Sequence, residues 1–73
     1  MQQFTLYGHD FIEDEQGHAH ILLDQAEAYA MRQVHAGRIS VVGHCYAYST
    51  DAVSDAAELA AVTDRTLAEL TVR

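Results

Sequence analysis

The chain has 73 residues, 49% of them hydrophobic, and sets eleven Asp and Glu against four arginines with no lysine, a formal net charge of −7. That length makes residues 1–73 a single domain whose small core is expected to need a partner, self-association or unusually good packing. The charge argues against direct binding of nucleic acid and for a basic partner. The lone Cys45 rules out an internal disulfide and suits a reducing compartment. No apolar run approaches the ~20 residues of a membrane span and no basic leader opens the chain, so a cytoplasmic protein without membrane contact is expected.

Residues 3–12 are rich in aromatic and branched side chains and read as a first strand. Glu13 to Gly17 form a polar turn ending in glycine, and His18 to Leu23 return as a short second strand. Asp24 and Glu27 have the spacing of a capping box. They open a helix over 25–36 in which Leu23, Ala26, Ala30 and Val34 share a stripe, with Gly37 as its stop. Ile39 to Tyr48 alternate as a long central strand, with Ile39, Val41, Gly43, Cys45 and Ala47 on one side and Ser40, Val42, His44, Tyr46 and Tyr48 on the other. Ser49, Thr50 and Asp51 offer caps for a second helix to about Leu70. On that helix Val53, Ala56, Ala57, Leu59, Ala60, Thr63, Leu67 and Leu70 face inward, and Asp51, Asp55, Glu58 and Glu69 outward.

This order, ββαβα, predicts a small two-layer α+β sandwich: a three-stranded antiparallel sheet, order 2-1-3, with two helices on one face. An internal echo accompanies it. Leu6-Tyr7-Gly8-His9-Asp10-Phe11 resembles Val41-Val42-Gly43-His44-Cys45-Tyr46, and Asp24, Ala26, Glu27 and Ala30 recur as Asp55, Ala57, Glu58 and Ala61.

With both helices on one side, Tyr7, His9, Phe11, Val42, His44, Tyr46 and Tyr48 are expected on the uncovered face, an aromatic and histidine-rich patch suited to a homodimer. The carboxylates divide between the hairpin tip, Glu13, Asp14 and Glu15, and the second helix, Asp51, Asp55, Glu58 and Glu69. Carboxylates three or four residues apart on a helix lie about 5–6 Å apart, of the order of successive phosphates on a nucleic-acid strand, so this stripe suits a basic groove. Small size, dense negative charge and an apolar face beside it are the character of inhibitors that block nucleic-acid-binding machines, such as phage-encoded anti-CRISPR and anti-restriction proteins. No residue motif ties the chain to any such family.

An antitoxin or adaptor that uses the Tyr and His face is the alternative binding role. A different class would be a metal module on His9, His18, His20 and His44, although no Cys-x-x-Cys or His-Glu-x-x-His spacing occurs. Cys45 beside His44 does not make a nucleophile pair, because neighbours on a strand point to opposite faces. No phosphate loop or Gly-x-Ser-x-Gly is present. The expectation is a protein that is not an enzyme and needs no cofactor.

Overall fold

The computed structural model describes residues 2–53 and 55–72, at residues 71 and 72 for the backbone alone. Its elements are β1 (Gln2–Leu6), β2 (His9–Glu13), β3 (Ala19–Leu23), α1 (Gln25–His35), β4 (Arg38–Val42), β5 (Cys45–Ser49) and α2 (Ala56–Val72). The strands form one antiparallel sheet of five, in the order β1-β2-β3-β5-β4. This corrects the three-stranded ββαβα sandwich of order 2-1-3.

The difference has one cause: each long strand expected from the sequence is a hairpin. Tyr7 and Gly8, with φ of 53° and 78°, turn the chain between the paired residues Leu6 and His9. Positive φ at both central positions is the twist that suits a two-residue hairpin. Gly43, φ 59°, opens a second two-residue turn between Val42 and its partner Cys45, with positive φ at its first central position alone. Tyr-Gly and Gly-His inside runs of strand formers lack the Asn-Gly or Asp-Gly chemistry that usually signals these turns.

A hairpin inverts the alternation that a straight strand would keep. Leu6 pairs with His9 and Val41 with Tyr46, so an even and an odd residue share a face. Inward and outward assignments made before each turn hold, and those made after it reverse. The turn also reverses the chain, which brings β5 antiparallel beside β3 and leaves β4 at the sheet edge.

Phe11, Ile21, Leu23 and Tyr48 from one face of the sheet meet Ala28 and Met31 of α1 and Leu59, Ala60 and Val62 of α2, with Val53 at the margin. Both helices therefore cover the same face. Phe4 stacks on Phe11 with ring centroids 5.2 Å apart. Fully buried side chains such as Phe11, Ile21 and Leu59 each contribute about 1.5–3 kcal/mol relative to exposure. Burial pushes the Tyr48 phenol above its ordinary pKa, an effect that Thr50 only partly offsets. Its oxygen makes no hydrogen bond of ordinary geometry.

The capping box of α1 is complete. Glu27 N–H donates to Asp24 Oδ1 at 2.7 Å and Asp24 N–H to Glu27 Oε1 at 3.2 Å. The inward stripe, however, is Ala28 and Met31, while Ala26 and Val34 are exposed. The helix turns its long aliphatic side chain, Met31, onto the sheet, and the stripe rotates with it. The helix stop also shifts by one residue. Ala36 takes the left-handed conformation, φ 50°, and its N–H returns to Arg32 O. Gly37 serves a different purpose, since a Cβ there would collide with the Tyr48 ring and the Ser49 carbonyl.

α2 begins at Ala56, not near Asp51. Thr50 is used in a local turn instead, accepting from Val53 N–H at 3.2 Å through its carbonyl and from Ala52 N–H at 3.4 Å through its hydroxyl. Asp55 Oδ1 then caps the helix by accepting from Ala57 N–H at 2.8 Å. Ser54, inside the helix expected from the sequence, lies outside the described residues. Val62 and Thr66 join the buried side of α2, whereas Leu70 is exposed. His35 Nε2 and Thr66 Oγ1, 3.0 Å apart, link the two helices. Among the described residues no helix is long and apolar enough to cross a membrane.

Candidate protein-binding surface

The β2–β3 turn is organised by one carboxylate. Asp14 Oδ1 accepts from the backbone N–H groups of Gln16 at 2.8 Å and His18 at 2.9 Å. Its Oδ2 lies 3.0 Å from His20 Nε2, which donates because a carboxylate only accepts. The His20 hydrogen bond first, and the backbone donor at His18 next, hold the Asp14 carboxyl down at about 2. Gly17, φ 84°, closes the turn, and Asp14 N–H donates to His18 O at 3.0 Å. An Asp three residues before a Gly is the sequence trace of this arrangement.

Facing that turn across the uncovered side of the sheet is the connection from β5 to α2. Between them lies a cavity of about 460 Å³, lined on one wall by Asp14, His18 and His20 and on the other by Arg38, Ser49 and Asp51. Arg38 Nη2 donates to Asp51 Oδ2 at 3.3 Å, with both side chains well exposed. A second cavity of about 310 Å³ shares Asp14, His20 and Ser40 with the first and continues over Ile12, Val42 and Ala47. The uncovered face is thus concave, and Ile12 and Ala47 are buried although no helix lies over them. Arg38, Ser40 and Ser49 had no signal in the sequence, because nothing local shows that β4 and β5 bring them beside His20.

The expected site residues separate into several places. Glu13 and Glu15 are exposed at the hairpin tip, and Asp14 beside them is engaged in the turn. Asp51 lies off the helix and against Arg38, Asp55 caps α2, and Glu58 and Glu69 are exposed on it. The acidic helix stripe is therefore shorter than expected, with Glu69 about 16 Å along the axis from Glu58. Asp14 of the tip and Asp51, far apart in sequence, line one cavity.

The aromatic patch does not form one surface. Phe11 and Tyr48 are at 0% exposure beneath the helices, and Tyr46 lies half-buried on the same side. Tyr7 is exposed at the first turn beside Ala57, Ala60 and Ala61. His9 Nε2 reaches Asp64 Oδ1 on α2 at 2.7 Å. His44 is exposed in the second turn, and of the seven expected residues Val42 lies on the uncovered strand face. Cys45 is exposed on that face. His18 is exposed, His20 is paired with Asp14, and no three His, Cys, Asp or Glu among the described residues come together as metal ligands.

Charge is segregated along the chain and across the fold. Between Glu27 and Asp51 there is no acid, and Arg32 and Arg38 lie within that interval. It comprises most of α1 with β4 and β5, so the α1–β4 side is the least negative part of the molecule. Comparison with protein-family models, with curated proteins and with solved structures gives no match.

Proposed function

We propose that the protein is a non-enzymatic interaction module of the cell interior that docks its acidic end on a basic partner, a nucleic-acid-binding protein, and blocks it. The observation that carries this reading is the convergence of the hairpin tip and the β5–α2 connection. Asp14 and Asp51 line one concave, polar surface, Glu13 and Glu15 are exposed beside it at the hairpin tip, and the acids Asp55 and Glu58 follow at the start of α2. A concentrated negative surface steers a basic partner into contact and favours encounters that weaken with salt. The fixed Asp14 anion and the exposed donors of Arg38 add orientation to that attraction. The biological role that corresponds is inhibition of a nucleic-acid-processing machine of the anti-CRISPR or anti-restriction kind. Imitation of a phosphate backbone would draw on the tip carboxylates as well as α2.

The test is affinity capture from the native host with the wild type and with a Glu15→Lys, Asp51→Lys, Glu58→Lys variant, at about 50 mM and about 500 mM salt. These positions are chosen because Asp14 and Asp55 maintain the turn and the helix cap. A basic partner retained by the wild type at low salt, released at high salt and lost by the variant supports the reading. A partner held equally by the variant, and lost instead by His44→Ala with Tyr46→Ala, assigns binding elsewhere.

A further inference from the structure

We propose that the free edge of β4 pairs antiparallel with β4 of a second copy of this chain, joining two five-stranded sheets into one continuous sheet about a two-fold axis at Ser40. β4 ends the strand order, so one side of its backbone has no partner strand among the described residues. In a two-residue hairpin the pair that closes the turn is hydrogen-bonded, and bonded and non-bonded pairs alternate from there. Counting from Val42 and Cys45, Ser40 and Arg38 spend their N–H and C=O groups on β5, while Ile39 and Val41 direct theirs outward.

A two-fold axis at Ser40 places Ile39 of each copy opposite Val41 of the other, where these outward groups satisfy one another. The residues on that side chain register are apolar, and Val41 is 71% exposed although it points to the helix side of the sheet. Natural edge strands are protected by charges, proline or bulges. β4, Arg38-Ile39-Ser40-Val41-Val42, has one charge, at its end, and neither of the other devices.

The opposite edge, β1, offers less. Its Phe4 and Leu6 are packed against the core, and Thr5 on the other face is held to Asp10 at 2.8 Å.

Charge selects a second copy as the occupant. A basic protein is drawn to the carboxylates, none of which lies between Glu27 and Asp51. Two copies that each carry −7 repel least where they meet through that interval. It also holds Tyr29 and Val34, exposed at 62% and 53%, alongside Val41. The symmetry is tolerable in detail. The small Ser40 side chains face each other at the axis, and the two Arg38 side chains are kept roughly 14 Å apart along the strands.

Sedimentation of the wild-type protein from about 1 to about 200 µM, with Val41→Lys in parallel, tests the pairing. The exposed position lets Val41→Lys fold, which circular dichroism checks, and the dimer dissociation constant should rise at least about tenfold. A Ser40→Cys, Cys45→Ser variant supplies a positive readout, since opposed residues of a non-hydrogen-bonded pair lie within disulfide reach. Under copper–phenanthroline it should convert to a covalent dimer much faster than the wild type does through Cys45. A monomer throughout the range, a dimer indifferent to Val41→Lys, open-ended assembly, or cross-linking of Ser40→Cys no faster than wild type would each overturn the proposal.

Discussion

Asp14 shows how a single side chain can serve both shape and surface. It satisfies two backbone donors in the β2–β3 turn and holds His20 at the wall of the cavity, so its charge is structural before it is available to a partner. Its carboxyl is lowered from 3.8 to about 2 in the folded protein. A depressed carboxyl adds stability above its unfolded value and loses it as pH falls through the folded one. Thermal midpoints of the wild type should therefore decline between pH 3.8 and about 2, and Asp14→Asn should start lower at neutral pH and show a flatter acid limb. An unchanged acid limb would deny Asp14 this role. The Asp-Glu-Gln-Gly turn was readable from its residue types, but the His20 contact was not, because it depends on the pairing of β2 with β3.

The elements reveal themselves best where their signals are local. The capping box of α1 and the positive-φ Gly17 needed only neighbouring residues, and both stand as their chemistry requires. The two tight hairpins did not, since Tyr7 takes a conformation unusual for its type and the strands on either side read as one. The echo between residues 6–11 and 41–46 falls on these two turns, and the echo of Asp24 by Asp55 falls on the two helix caps. At the junction of α1 and β4, packing overrides the usual helix ending. Gly37 is reserved for the close approach of Tyr48, and the left-handed step moves to Ala36. Gly37→Ala should thus cost about 2 kcal/mol, on the order of 10 °C in Tm. Ala36→Gly should stabilise by up to about 1 kcal/mol, because glycine takes positive φ without a Cβ penalty. Urea melts of the two variants check both signs, and equal effects in the same direction would refute this division of labour.

At the scale of the molecule, segregation of charge outweighs its total. Among the described residues, the ion pair Arg38–Asp51 and the histidine contacts His9–Asp64 and His20–Asp14 leave most carboxylates without a cation, so self-repulsion should dominate the response to salt. Raising NaCl from about 20 to about 500 mM shortens the Debye length several-fold and should raise the Tm by a few degrees. It should do so less in a Glu15→Gln, Asp51→Asn, Glu58→Gln variant. A Tm that falls with salt would mean that the ion pairs outweigh the repulsion. The amino-acid sequence by itself determined the acidic character, the mixed α and β composition, the lone cysteine and the local turn and cap chemistry, all properties of residue type and short spacing. Tertiary structure alone decided the five-stranded order, the burial of Phe11 and Tyr48, the exposure of Cys45 and the meeting of Asp14 with Asp51. Each depends on where the chain reverses, and a two-residue reversal exchanges the faces of everything after it.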